Sequence, residues 1–113
     1  MFRDKPDENR AALTRLADEM NATLPKKGDR WTTVTRAEFD RDVWRVHLTM
    51  EPGAPIDPYQ QKQYRDFAVR QICGSEMKEI LRRNITIEYL YTYTDSSGEE
   101  QKLRISIPPG SCS

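Results

Sequence analysis

Residues 85–107 read I-T-I-E-Y-L-Y-T-Y-T-D-S-S-G-E-E-Q-K-L-R-I-S-I. Ile85, Ile87, Tyr89, Tyr91 and Tyr93 alternate with Thr86, Glu88, Leu90, Thr92 and Thr94, the period of two that puts successive side chains on opposite faces of a strand. Asp95-Ser96-Ser97-Gly98 forms a turn, with glycine where a positive φ is wanted. Residues 100–107 return with Leu103, Ile105 and Ile107 set against Lys102, Arg104 and Ser106. The stretch is a β-hairpin. Ahead of it, G-S-E-M-K-E-I-L-R-R-N predicts a short helix capped by Ser75 and carrying Met77, Ile80 and Leu81.

The chain's two cysteines bracket this unit, Cys73 before the short helix and Cys112 after the last strand. One reading joins them. A bridge would close a loop of about 39 residues and contribute roughly 4 kcal/mol in the chain-entropy picture. It would also place the protein in an oxidising compartment, the periplasm or the cell exterior. The other reading leaves two reduced thiols, one buried and one near an exposed terminus.

Working back toward the amino terminus, residues 58–72 predict a helix. Asp57 is the cap, Pro58 the first position, and Tyr64, Phe67, Ala68 and Ile72 the apolar side. Glu51 to Pro58 is a loop punctuated by three prolines. Before it, residues 31–39 and 43–50 form a second hairpin turned at Asp40-Arg41-Asp42. Its second strand sets Trp44, Val46, Leu48 and Met50 on one face and Arg45, His47 and Thr49 on the other. Residues 6–23 predict an amphipathic helix with a stripe of Leu13, Leu16, Met20 and Leu24, stopped at Pro25, after which Lys26-Lys27-Gly28-Asp29 turns the chain. The order α-β-β-α-α-β-β predicts an α+β fold, a four-stranded antiparallel sheet with the helices packed on one face.

At 113 residues this is a single domain, with residues 1–5 and 113 expected to be mobile ends. Eighteen basic and eighteen acidic residues cancel, so no global field draws nucleic acid or anionic membrane. A mean hydropathy of −0.85 is low, but two tryptophans, five tyrosines and three phenylalanines supply large core pieces. No apolar run approaches the ~20 residues of a membrane span. Met1-Phe2-Arg3-Asp4-Lys5-Pro6 turns polar at once and is not a signal peptide. A periplasmic or secreted protein would therefore have lost its signal ahead of residue 1, whereas a natural start at Met1 would point to the cytoplasm.

The run from Cys73 to Cys112, with its helix, alternating strand, S-S-G turn and terminal cysteine, resembles the C-terminal half of small exported bacterial α/β proteins. One class of type II secretion pilotins is among them. The N-terminal half agrees in order, with a helix ending N-A-T-L-P at residues 21–25 and a hairpin built on T-T-V-T and V-W-R-V-H-L. The resemblance covers most of residues 10–112 as pattern and spacing. It implies a twisted sheet with helices on one side, a Cys73–Cys112 disulfide, and a periplasmic protein that works by binding. Pilotins of this class are lipoproteins that capture a C-terminal segment of the secretin subunit. This chain departs from the pattern in having no lipid-accepting cysteine near Met1.

Residue chemistry points away from catalysis. His47, the chain's one histidine, alternates onto the polar side of a strand, and no nucleophile with a base and an orienting acid is legible. Two cysteines and one histidine do not make a closed zinc site, and no phosphate loop or H-E-x-x-H occurs, so neither metal nor cofactor is expected. Glu99-Glu100 reads as a solvated turn, and the sequons at Asn21 and Asn84 would be silent in a bacterium. Ile85, Ile87 and Tyr89 are expected in the core. Tyr91 and Tyr93, with Arg65, Arg82 and Arg83, are candidates for gripping a partner. The reading is a non-enzymatic exported module that holds a peptide, such as a secretin C-terminal segment. A soluble secreted factor or inhibitor on the same scaffold is the alternative. A cytosolic nucleic-acid regulator, using Lys62, Arg65, Arg70, Lys78, Arg82 and Arg83, is the lesser one.

Overall fold

The computed structural model describes residues 6–28 and 30–112. Helix α1 (Pro6–Asn21) leads into a two-residue strand β1 (Lys26–Lys27), then β2 (Thr32–Asp40) and β3 (Val43–Met50). Helices α2 (Pro58–Cys73) and α3 (Lys78–Arg82) follow, and β4 (Thr86–Thr94) and β5 (Glu100–Ile107) close the chain. The strands lie side by side in chain order. The expected mobile ends, 1–5 and 113, and the turn residue Asp29 lie outside the described residues.

The expectation of a four-stranded antiparallel sheet is corrected on two counts. The sheet has five strands, because Lys26 and Lys27, read from sequence as a turn, pair with Val34 and Thr33. Two residues are too few to show any period. The sheet is also mixed, because β3 and β4 run parallel, from Val43 beside Thr86 to Thr49 beside Thr92. The α2–α3 connection carries the chain from the end of β3 back to its start, where the Thr86 amide donates to the Asp42 carbonyl at 3.0 Å. A strand that begins where its neighbour begins is parallel to it, and such pairs need a crossover of this kind.

One sheet face is apolar and carries the helices. Trp44, Val46, Leu48 and Met50 are buried as their alternation predicts, in one cluster with Ile87, Tyr91, Ile105 and Ile107. Leu13 and Ala17 of α1, Tyr64, Ala68 and Ile72 of α2, and Ile80 and Leu81 of α3 complete it. In β2 the alternation switches phase. A bulge between Val34 and Arg36 lets Val34 oppose Leu48 while Ala37 opposes Val46, so the strand keeps one face inward with an extra residue inserted.

Several helix positions differ from the periodic reading. Ala17 is the buried partner of Leu13, one turn on, while Leu16 is 45% exposed. Phe67 is 40% exposed although it sits on the apolar side of α2. Asp57 caps α2 as expected, its Oδ1 accepting from the Gln60 amide at 2.9 Å. Ser75 does not cap α3 directly; it bridges the preceding turn, accepting from the Met77 amide and donating to the Ile72 carbonyl. Asn84 follows α3 with φ 65°, a left-handed residue of the kind that ends helices.

Three local devices hold the ends together. The Asn21 side chain, last in α1, donates to the Ala37 carbonyl and accepts from the Ala37 amide, both at 2.8 Å. It thereby substitutes for a paired strand where β1 is too short to reach. At the β4–β5 turn, Asp95 Oδ1 accepts from the Ser97 and Glu99 amides and the Ser97 hydroxyl, while Oδ2 accepts from Gln101. These bonds, that from Ser97 first, hold the Asp95 carboxyl down to about 2. Cys73, the last residue of α2, is joined to Cys112 with their Cα atoms 5.4 Å apart, so the tail after β5 is tied to the helix layer.

Two outcomes follow. Reducing the disulfide, seen as a gain of two protons in mass, is expected to lower stability by about 4 kcal/mol in a urea titration, scaled by the loop it closes. An unchanged midpoint would mean the tail contributes nothing. Asp95→Asn is expected to be less stable than the parent at neutral pH. A carboxyl held low in the folded state stabilises above its unfolded value and loses that effect as pH falls through its folded one. The gap between variant and parent should therefore narrow as pH drops toward about 2, measured by thermal melts across the acid range.

Candidate functional site

The two faces of the sheet differ in chemistry. On the face away from the helices, Glu38 of β2, Arg45 of β3, Glu88 of β4 and Arg104 of β5 form a ladder of alternating charge. Arg45 donates through Nε to Glu88 Oε1 at 2.5 Å and through Nη1 to Glu38 Oε1 at 3.3 Å, and Arg104 Nε lies 3.4 Å from Glu88 Oε2. Arg36 reaches the other Glu38 oxygen at 3.4 Å. His47 Nε2 donates to Glu38 Oε1 at 2.7 Å, so the histidine expected to be solvated is half-buried and engaged. The His47 bond, aided by Arg45 and Arg36, holds the Glu38 carboxyl below its ordinary value, and the Glu88 carboxylate raises the Arg45 guanidinium above its own. Among the described residues both carboxylates of this ladder are engaged, Glu38 by Arg36, Arg45 and His47 and Glu88 by Arg45 and Arg104. Among the described residues no group of His, Cys, Asp and Glu is placed to hold a metal ion.

The helix-bearing face has a gap. Helix α1 packs on β2, while α2 stacks Tyr64 on Tyr91 with ring centres 5.9 Å apart. Helix α3 is five residues long, too short to close the space between them. What remains is a trough of about 680 Å³ floored by Val34, Leu48, Tyr89 and Tyr91 and walled by Phe67, Gln71 and Met77. Its walls are largely apolar, and Phe67 is one of the few large apolar side chains left exposed. Leu16 is another, and it lines a second groove of about 520 Å³ between α1 and α3 with Ala12, Leu13 and Ile80. Glu76 borders both. Exposed apolar groups gathered in a concavity with a few polar ones at its rim are the usual make-up of a binding site.

The residues proposed from sequence to meet a partner do not gather in one place. Tyr91 is buried beneath the trough, more deeply than Tyr89, and Tyr93 is half-buried further along the strand. Burial raises the Tyr89 hydroxyl above its ordinary value. Arg65 points to the sheet edge and donates to the Ser106 carbonyl at 2.8 Å. Arg82 pairs with Glu79 on α3, and Arg83 lines the α1–α3 groove. The sequence pattern places Phe67, Met77 and Leu48 on apolar faces and carries no signal at Val34. Nothing in a linear pattern says that the layer above them is incomplete.

The sequence matches no protein-family model and no curated protein. Solved structures do match in shape. A protein of Pseudomonas aeruginosa, provisionally described as secreted, superposes with a TM-score of 0.74 over 100% of both chains at 16% identity. The pilotin of the Vibrio vulnificus type 2 secretion system superposes with a TM-score of 0.68 at 16% identity, covering 95% of this chain and 94% of that one. The chain has their fold. The resemblance read from the Cys73–Cys112 region thus holds at the level of architecture, with the disulfide in place. No described helix is long and apolar enough to cross a membrane.

Glu88 separates the two faces experimentally. Glu88→Ala removes one of the two carboxylates on Arg45 and the carboxylate facing Arg104, at a largely buried position. It is expected to cost about 1–3 kcal/mol in urea unfolding while leaving the trough on the far side of the sheet intact. An unchanged stability would mean the ladder is merely a surface feature.

Proposed function

We propose that the protein is a non-enzymatic, exported, pilotin-like module that seats a peptide segment of a secretion-system partner in the trough between α2 and the sheet. The observation that carries this reading is the open apolar trough beneath Phe67 and Met77, on a scaffold shared with a pilotin. A folded chain that leaves a phenylalanine exposed above a concave apolar floor offers a place where a partner's apolar side chains lose water. The Cys73–Cys112 bridge supports a compartment beyond the inner membrane, since such bonds persist in oxidising surroundings. No cofactor is needed for this activity.

A secretin C-terminal segment is the first ligand to test, by isothermal titration against the oxidised protein. Binding is expected, and Phe67→Glu or Met77→Glu should weaken it by about tenfold or more, since each places a charge where an apolar anchor would sit. Both positions are at least partly exposed, so the variants should melt near the parent temperature. Tight binding that neither variant disturbs would move the site elsewhere. Absence of binding to any secretin segment would remove the pilotin role. It would favour a soluble secreted factor on the same scaffold, the reading supported by the likeness to the Pseudomonas aeruginosa protein. The helix-face cations support a polyanion-binding role less well, because Lys62 and Arg82 already pair with Asp66 and Glu79.

A further inference from the structure

The trough between α2 and the sheet has a charged rim. Its floor follows one row of the sheet, in which Val34 of β2 stands opposite Leu48 of β3, and Leu48 beside Tyr91 of β4. On the outer side the row continues to Lys26 of β1, which stands opposite Val34. Directly opposed residues of an antiparallel pair share a face, so Lys26 leaves the sheet on the helix-bearing side, next to Val34. Lys27 leaves it on the other side and pairs with Glu51 at 3.5 Å. On the inner side the trough is bordered by the turn between α2 and α3, where Glu76 stands next to Met77. Among the described residues that line the trough, Glu76 is the one with a charge; the polar others, Thr32, Gln71 and Ser75, are neutral.

Lys26 and Glu76 are both exposed. Among the described residues neither lies within ion-pair distance of an opposite charge, unlike Lys27, Lys62, Arg82 and Lys102. Glu76 also borders the α1–α3 groove, which Arg15 and Arg83 line, but it pairs with neither. A partner's charge set against Lys26 or Glu76 therefore breaks no existing pair. Each also stands beside an apolar side chain, where a charge acts more strongly than in open solvent. The stem of a lysine suits such a place, lying along apolar surface with the ammonium at the rim. We propose that the trough selects its occupant by charge as well as by apolar content. It takes a segment whose apolar anchors are flanked by a basic group, set against Glu76, and by an acidic group, set against Lys26. This selection rests on the trough reading and supplies the chemistry of the segment seated there.

Isothermal titration of the oxidised full chain with capped synthetic peptides tests it. All share a centre of leucine and phenylalanine. One has lysine on one flank and glutamate on the other, a second has lysine on both, and a third has glutamate on both. The mixed peptide is expected to bind about fivefold tighter than either uniform one at low salt, with the difference shrinking at ~1 M salt. It can lie in whichever direction matches the two charges, so the ranking does not depend on which end meets which side. Glu76→Lys makes both sides of the trough basic and should turn the preference to the glutamate-flanked peptide. Lys26→Glu should turn it to the lysine-flanked one. Both positions are exposed, so the variants should melt near the parent temperature. Equal affinities for all the peptides, or a ranking that neither variant changes, would overturn the charge selection. The trough reading would still stand if Phe67→Glu abolished that binding. No binding of any peptide would overturn the selection as well, leaving the trough to the secretin titration. Concentration-dependent self-association that Phe67→Glu abolishes would also overturn it, making a second copy of the chain the occupant.

Discussion

Arg45 and Glu88 stand opposite one another across the parallel seam between β3 and β4, 43 residues apart in the chain. A hairpin sets its own register through its turn, but a parallel pair joined by a long crossover has no such guide. A slip of one residue there would turn every side chain of β4 to the wrong face. Burial of Ile87 and Tyr91 against the helices forbids that slip. The charge pair selects among the registers that burial permits, with Glu38 and Arg104 extending the selection to β2 and β5. Its net contribution to stability is modest, as for any partly wet ion pair.

Once the seam is set, the apolar face follows. Trp44 lies beside Ile87, Val46 beside Tyr89 and Leu48 beside Tyr91, giving a continuous floor across the middle of the sheet. Helix α1 is drawn to one side of this floor, where the Asn21 side chain bonds both the amide and the carbonyl of buried Ala37. Helix α2 is drawn to the other, anchored by Tyr64, which donates to the Pro55 carbonyl, and by the bridge at Cys73. Two helices pinned to opposite sides cannot also meet over the centre. The trough is the consequence of where the anchors stand, and Phe67 is left exposed at its wall.

Much of the architecture was legible in the chain. Strong alternation in residues 43–50 and 85–94, the Asp57-Pro58 start of α2 and the bracketing cysteines each have a local cause, and each appears where expected. The misses also have causes. Leu16 and Ala17 are consecutive, about 100° apart around the helix, and the rotation chosen by the sheet decides which is buried. Phe67 belongs to an apolar stripe whose far edge has nothing above it. The bulge at Thr35 inserts one residue into a pattern of two and so erases the very signal used to read the strand. The arginines proposed as one patch are spread over a sheet edge, a surface ion pair and a groove, because sequence proximity on two helices does not place side chains on a common face.

By itself the sequence determined that the chain folds as two hairpins with helices between them, since period and capping residues act over a few residues and survive any arrangement of the whole. Of the two readings the cysteines allowed, the structure has the Cys73–Cys112 bridge. Only the tertiary structure decided that the hairpins meet through a parallel pair, that a two-residue strand extends the sheet, and that Phe67 is left exposed at the wall of a trough. Those outcomes depend on where distant segments lie when apolar area is buried, and no local pattern carries that information.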